Sequence, residues 1–168
     1  MINSTSTDSK VTLFRGGLLR LLLVSGLLWL ASGCSYFMSD LTKVDMRIVT
    51  GGDVNPDDTG RPSPVVVRVI ELKSPSGFES SDFFALYQSE AQTLGSDMVA
   101  SEEFEFKPGD VQDLKFALNP DSNYVAILAA YRHLDKVNWR MVLPLKTKEK
   151  NELTVLLNRR GIELATPR

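Results

Sequence analysis

Short runs of alternating apolar and polar residues constrain the fold of this 168-residue chain more than any other feature. In the first run, Val44, Met46 and Ile48 alternate with Asp45 and Arg47. Further runs of this kind lie at residues 104–106, 114–118, 139–143 and 153–157. Because successive side chains of a strand point to opposite faces, this pattern predicts strands with one buried face. The chain is therefore expected to form layered β-structure.

Two further segments are apolar without alternation, and one has helical spacing. Val65–Leu72 is rich in β-branched residues and predicts a largely buried strand, while the continuous apolar run Tyr124–Tyr131 predicts a central strand covered on both faces. Between them Ser81 is expected to cap a helix, with Asp82 in its first turn and apolar residues at helical spacing over Phe83–Leu94. The sequence thus predicts a mainly β fold, a β-sandwich of about seven to eight strands with a short inserted helix.

The first 33 residues have the pattern of a signal peptide. Lys10, Arg15 and Arg20 precede the apolar run Leu21–Ala31, and small residues follow it before Cys34. A bilayer core needs roughly 20 apolar residues, so this run is too short to span it comfortably. We therefore expect cleavage of residues 1–33 rather than permanent insertion.

Cys34 is the only cysteine, and it ends the run Leu30-Ala31-Ser32-Gly33-Cys34, which resembles the bacterial lipobox. Two or three acyl chains on such a residue would hold a protein firmly on a membrane, whereas one chain holds only marginally. The alternative is an unmodified buried thiol. Because Ser35 is not the Asp that resembles an inner-membrane retention signal, we expect outer-membrane sorting with the domain facing the periplasm. Residues 34–42 would be the lipidated tether and residues 43–168 the β-sandwich domain.

Charge and residue content argue against several functions. Three of the 19 basic and one of the 21 acidic residues lie in the first 33, which leaves 16 against 20 and a formal charge of -4. Nucleic acid is therefore not an expected partner. His133 is the only histidine and is expected on the solvated surface, and no GxGxxG, Walker A or zinc spacing occurs. We expect no enzymatic activity, no catalytic residue, no metal and no cofactor beyond the covalent lipid on Cys34.

The segment Gly51–Pro64 contains many turn formers and strand breakers, which predict a long loop between two strands. Long ordered loops often carry function. Its stretch Asp53–Asp57 begins like a calcium-binding loop, but Asp58 stands where glycine is needed and Pro64 where a bidentate Glu is needed. A calcium site is therefore disfavoured.

One continuous run carries a family resemblance. Residues Asn55–Arg68, NPDDTGRPSPVVVR, resemble the signature of the type VI secretion lipoprotein family known as TssJ, or SciN-like. The similarity continues in family order over nearly the whole mature chain. Its further segments are Glu71-Leu72, the stretch 78–87 with Asp82-Phe83-Phe84, Pro108-Gly109, Ala129-Ala130-Tyr131-Arg132 and Trp139-Arg140.

This resemblance implies a transthyretin-like β-sandwich held under the outer membrane. It also implies that the loop Gly51–Pro64 binds the periplasmic C-terminal region of the inner-membrane protein TssM, within a TssJ–TssL–TssM membrane complex. The expected partner-binding residues are Asp53, Val54, Asn55, Pro56, Asp57 and Asp58.

Physical chemistry suggests how such a loop would bind. Pro56 and Pro62 would lower the entropy cost of presenting it, the three aspartates would form an acidic face, and Val54 would be an apolar anchor. Alternatively, these residues only shape a solvated turn. A second hypothesis for the whole protein is a periplasmic lipoprotein that binds a small hydrophobic ligand or lipid, which would require an apolar cavity.

Overall fold

The computed structural model describes residues 41–165. The predicted signal peptide, Cys34 and most of the predicted tether lie outside the described residues. Eight strands and two helices form the described domain. They are β1 Lys43–Thr50, β2 Val65–Leu72, α1 Ser76–Ser80, α2 Phe83–Leu94, β3 Met98–Phe106, β4 Val111–Ala117, β5 Tyr124–Ala130, β6 Arg140–Pro144, β7 Lys150–Asn158 and β8 Gly161–Leu164.

The strands form two four-stranded sheets, which confirms the predicted mainly β sandwich. Sheet I has the order β4-β1-β7-β8, and sheet II has the order β3-β2-β5-β6. All neighbouring strands are antiparallel except β1 and β7, which run parallel from Lys43↔Lys150 to Thr50↔Leu157. Strand β1 is therefore central in sheet I, hydrogen-bonded to β4 on one side and to β7 on the other.

The alternating runs predicted the core correctly. Val44, Met46 and Ile48 are at most 1% exposed and contact residues of both sheets in one apolar cluster that also contains Val67 and Ile127. Full burial of each such side chain contributes about 1.5–3 kcal/mol relative to an exposed position. The apolar side chains that the alternating pattern predicted to be buried therefore stabilise the sandwich.

A second apolar cluster lies on the outer face of sheet II, under the two helices. Ala126 and Leu128 of β5 pack there with Phe78 of α1 and with Phe83 and Leu86 of α2. The other side of β5 faces the first cluster. The prediction that this strand is covered on both faces is therefore confirmed.

The helical region differs from its prediction at its start. The cap is Asp82, whose carboxylate accepts a hydrogen bond from the Ala85 amide at 3.0 Å, and not Ser81. Ser81 ends α1 instead, where its hydroxyl donates to the Gly77 carbonyl at 2.7 Å. The short helix α1 was missed because only its packing through the buried Phe78 identifies it.

Strand β1 connects two opposite ends of the sandwich. The end at Lys43, where the tether joins the domain, is here called the tether end, and the end at Thr50, which leads into the long loop, is called the loop end. An eight-residue strand at about 3.3 Å per residue spans about 26 Å. Segments 118–123 and 145–149 also lie at the tether end, whereas the β3–β4 turn, the segment after β5 and the β7–β8 turn lie at the loop end.

Candidate functional site

The loop Gly51–Pro64 is the long β1–β2 connection that the sequence predicted. Its start is fixed to sheet I because the Gly51 amide donates to the Leu157 carbonyl at 2.7 Å. A Cβ on Gly51 would lie 2.8 Å from the Asp53 Oδ1 and 3.3 Å from that same carbonyl, so a larger residue here would have to displace the Asp53 carboxylate. The Ser63 amide donates to the Val54 carbonyl at 3.1 Å and closes the loop on itself.

Val54 is completely buried and belongs to the apolar cluster between the sheets. The apolar anchor expected to face a partner therefore faces the core of its own domain. Its burial fixes the loop to the sandwich, a role that loop composition does not reveal.

Asn55 is likewise buried, with 5% of its surface exposed, and it clamps the loop to a distant segment. Its side-chain amide donates to the Pro64 carbonyl at 2.7 Å, and its oxygen accepts from the Arg132 amide at 2.8 Å. Its φ of 45° lies in the left-handed region, which Asn tolerates better than most residues. Asn55 is thus a structural residue of the loop and presents little surface to a partner.

Asp57 organises the outer part of the loop, a tight turn over residues 57–61. Its Oδ1 accepts from the Thr59 amide at 2.9 Å, the Thr59 hydroxyl at 2.7 Å and the Arg61 amide at 3.0 Å. Its Oδ2 pairs with the Arg61 guanidinium at 2.9 Å. The Thr59 hydroxyl, followed by the Arg61 amide, holds the pKa of this carboxyl well below its usual range. Gly60 has a φ of 84°, as the turn requires.

The loop does not present the acidic face that was expected, because basic residues lie beside its aspartates. Asp57 pairs with Arg61 within the loop. Asp58, whose side chain is 93% exposed, lies 3.4 Å from the His133 Nε2, and Asp53 lies 3.7 Å from the Arg159 Nε. Each aspartate of the loop therefore has a basic neighbour, and two of these neighbours come from segments far away in sequence.

Two more basic side chains extend this pattern. Arg132 and Lys136 are exposed and form no ion pair with other residues of the range 41–165. Asp135, which follows Arg132 and precedes Lys136, is also exposed and forms no ion pair within this range, so the loop end is a surface of mixed charge.

The loop residues that resemble a calcium-binding sequence make other contacts in the fold. Asp53, Asn55 and Asp57 turn to Arg159, to backbone groups and to Arg61 respectively, and do not converge. Across the described part of the chain, no group of three or more His, Cys, Asp or Glu side chains is arranged to hold a metal ion.

Arg61, Tyr131 and Arg159 lie at the site but were not predicted from the sequence. For Arg61 a local signal existed, because Asp followed two residues later by Thr and then by Gly is typical of a side-chain-closed turn. His133 was expected on the surface, and it is half-exposed beside Asp58. Tyr131 and Arg159 reach the loop only through the tertiary fold.

A larger cavity of about 680 Å³ lies on the outer face of sheet I, away from the loop. Charged side chains line it, among them Asp45, Arg47 and Asp113. Arg47 pairs with Asp113 at 3.2 Å, and Asp45 with Lys150 at 2.9 Å. This charged, open surface does not fit the hydrophobic ligand of the second hypothesis. Within residues 41–165, no helix has the length and apolar character needed to cross a membrane.

Comparison with known families identifies the chain by sequence. The family described as "Type VI secretion lipoprotein, VasD, EvfM, TssJ" matches residues 42–160, which is most of the described domain. No curated protein sequence matches that of this chain.

Solved structures with the same fold agree with this match. The lipoprotein TssJ1 of Pseudomonas aeruginosa is 30% identical with a TM-score of 0.74, and the match covers 76% of this chain and 98% of that one. Serratia marcescens Lip, described as a membrane-bound component of the type VI secretion system, is 24% identical with a TM-score of 0.72, over 76% of this chain and 99% of that one. A chain in the structure described as the TssM C-terminal domain (869-1107) from EAEC is 20% identical with a TM-score of 0.63, over 74% and 98%. The last two similarities show only that the fold is shared.

Proposed function

Because this chain belongs to the type VI secretion lipoprotein family, we propose that lipid on Cys34 holds it in the outer membrane while its loop Gly51–Pro64 docks a partner in the periplasm. The family consists of membrane-associated lipoproteins and is not an enzyme family. The proposed partner is the periplasmic C-terminal region of a TssM-like inner-membrane protein, within a complex that also contains TssL.

The observation that carries this proposal is the position of the loop relative to the tether. The tether joins β1 at Lys43, and the loop leaves the same strand after Thr50, about 26 Å away at the other end of the sandwich. A domain held to a membrane at one end thus presents its loop at the end that is free to meet a protein from the opposite membrane. The covalent path between the two attachment points is a single central strand.

The internal order of the loop also supports docking. Val54 and Asn55 fix its first half, and the Asp57 carboxylate fixes its outer turn, so the exposed residues are presented in one arrangement. A loop that is ordered before binding loses little entropy on binding. The exposed part that a partner would touch includes Asp53, Asp58 and Arg61, with Pro56 partly accessible.

The choice of partner rests on the comparisons. A chain with this fold occurs in the structure that is described by TssM residues 869–1107. The match covers 98% of that chain and 74% of the present 168 residues. That chain is therefore only about half as long as the TssM segment 869–1107. A companion of TssM, rather than TssM itself, fits that length.

The test uses the full lipidated chain and the periplasmic C-terminal region of TssM as bait. Replacing the whole loop would also remove the structural residues Val54 and Asn55, so the variant is Asp58→Arg, at a side chain that is 93% exposed. The matched control is Asp121→Arg, another exposed aspartate in an ion pair, with Lys73 at 3.0 Å, at the tether end. We expect Asp58→Arg to lower the recovery about tenfold, as at an interface hot spot, and the control to bind normally. Equal recovery with both variants would show that the loop is not the docking surface.

The membrane anchor has its own test. Cys34→Ser should move the protein from the membrane fraction to the soluble periplasmic fraction, and Ser35→Asp should move it to the inner membrane. Continued membrane association of Cys34→Ser through an uncleaved apolar segment would contradict lipidation. An unchanged location of Ser35→Asp would contradict the sorting argument.

A further inference from the structure

A strip of apolar side chains leads from the long loop to the start of α2. Pro56 of the loop and Val137 of the segment after β5 line the same small cavity of about 120 Å³. Leu134 and Trp139, on either side of Val137 in the chain, pack against both apolar clusters and stay partly exposed. The Trp139 ring then meets the ring of Phe83 in α2 edge to face, with 5.3 Å between the ring centres. The segment after β5 thus joins the loop to the helix through apolar side chains.

The strip ends at Phe84, whose side chain is 61% exposed and is the most exposed large apolar one in the range 41–165. Its ring meets that of Phe83 edge to face at 5.5 Å. Single exposed apolar residues are normal on protein surfaces. Phe84 differs because it continues a row of partly exposed apolar residues, and contiguous apolar surface marks a site of interaction.

The start of α2 holds Phe84 in one position. The Asp82 carboxylate caps the helix, and the Arg140 guanidinium donates to the Ser81 carbonyl at 2.7 Å. The same guanidinium lies 4.8 Å from the centre of the Trp139 ring. An aromatic side chain on such a fixed element is ordered before binding, so its contact with a partner costs little entropy.

The size of the loop indicates that docking needs more surface. A standard protein interface uses roughly 20–30 residues on each side. The loop spans only residues 51–64, and Val54 and Asn55 among these are buried. Neighbouring surface therefore has to contribute. Charged residues are exposed beside the strip, in the loop and in the segment after β5, and they would form the polar rim around an apolar centre that interfaces have. They are Asp58, Arg132, Asp135 and Lys136.

We propose that the docked partner places a large apolar side chain, aliphatic or aromatic, on Phe84 and Trp139. The interface would then extend from the loop over the start of α2. This inference rests on the proposed function and adds the chemical class of the partner residue and the direction of the interface. In the other direction, Val111 of β4 is 48% exposed beside Val49 of β1. That surface contains no aromatic ring among its exposed described residues, whereas interface centres are enriched in aromatic side chains.

The experiment measures the affinity of the full chain for the periplasmic C-terminal region of TssM by calorimetry. We expect Phe84→Ser to raise the Kd about thirtyfold, as at an interface hot spot. Phe84→Tyr keeps the ring and should bind within a few fold of the unaltered chain. The matched control is Val111→Ser, at an exposed apolar residue of the loop end on sheet I, and it should bind normally.

Salt and stability separate an apolar contact with the partner from other causes. The loss in Phe84→Ser should be the same at low and high salt, whereas the loss in Asp58→Arg should shrink at high salt because charge interactions are screened. Because most of the Phe84 ring is exposed, Phe84→Ser should leave the urea midpoint nearly unchanged. Unchanged affinity of Phe84→Ser, an equal loss in Val111→Ser or a large fall of the midpoint would each overturn the proposal.

The partner residue can then be identified. Each exposed large apolar residue of the TssM region is changed to Ala and combined with Phe84→Ser in a double-mutant cycle. The predicted occupant shows less than additive losses with Phe84→Ser. If Asp58→Arg disrupts docking while Phe84→Ser does not, the strip is not part of the interface and the proposed function stands. If the unaltered chain does not bind the TssM region, the proposed function itself fails.

Discussion

The two halves of the loop Gly51–Pro64 are held by different kinds of interaction. The inner half, residues 51–56, is fixed by the buried side chains of Val54 and Asn55, which contact distant parts of the sandwich. The outer turn, residues 57–61, is fixed by the Asp57 carboxylate and by two backbone hydrogen bonds, all of which link only residues of the turn itself. The inner half is therefore part of the cooperative core, whereas the outer turn can open by itself. Measurements of global unfolding should therefore report on the inner half, and local hydrogen exchange of backbone amides should report on the outer turn.

The largest effect is expected at Asn55, whose replacement would break the inner half. Asn55→Ala leaves the Pro64 carbonyl and the Arg132 amide without partners, each costing about 1–3 kcal/mol, and places alanine at a left-handed φ. We expect a loss of about 3–5 kcal/mol in the free energy of unfolding, measured by urea denaturation.

Two variants make this prediction specific. Asn119→Ala removes an exposed side chain that accepts from the Asp121 amide at 3.1 Å at the tether end, and it should cost less than about 1 kcal/mol. Asn55→Gly keeps the backbone conformation at little cost, so its smaller loss isolates the hydrogen bonds from the strain. If Asn55→Ala resembled Asn119→Ala, the inner half would not belong to the core.

A smaller and local effect is expected at Asp57. Asp57→Asn should speed hydrogen exchange of the Gly60 and Arg61 amides with little change in global unfolding, because the turn loses its charged acceptor. Asp121→Asn, at the tether end, should leave these amides unaffected.

The same carboxyl makes the turn sensitive to acid. Its folded pKa lies below the unfolded value, so its contribution is complete above about pH 3.9 and is lost as the pH falls toward the folded pKa. The difference in exchange between the unaltered chain and Asp57→Asn should therefore be constant from pH 7 to about pH 4 and shrink below it. A difference that shrank near pH 6 would assign the effect to another group.

The smallest effect is expected at Arg61. Its side chain is 80% exposed, and Arg61→Gln leaves the three hydrogen bonds to the Asp57 Oδ1 in place. We expect no measurable change in the urea midpoint and a smaller increase in amide exchange than in Asp57→Asn. Arg47→Gln, which removes the exposed pair with Asp113 on sheet I, is the matched control. A loss larger than that of Asp57→Asn would show that the guanidinium, and not the carboxylate, holds the turn.

Sequence reasoning predicted most of the fold but assigned several residues incorrectly. Alternation placed Val44, Met46 and Ile48 in the core correctly, whereas the helix cap moved by one residue to Asp82. The short strand β8 had no pattern of its own, and its pairing with β7 identifies it. Period and propensity act over a few residues, so they identify long strands well and miss elements that exist only through their neighbours.

For the candidate site, the sequence located the loop and the family but not the direction of each side chain. The loop sequence does not show whether Val54 is buried or exposed. The partners of Asp53 and Asp58 are more than 70 residues away in sequence. The mixed charge of the loop end was hidden for the same reason.

The sequence by itself therefore determined the strand pattern, the position of the long loop, the membership of a type VI secretion lipoprotein family and the expected lipid site. Only the tertiary structure decided which loop residues hold the loop and which remain exposed, and it brought Tyr131, Lys136 and Arg159 to one small cavity. The physical reason is the range of the forces involved. Hydrophobic period and turn chemistry are local in the chain, whereas burial, ion pairing and cavity shape depend on segments that only folding brings together.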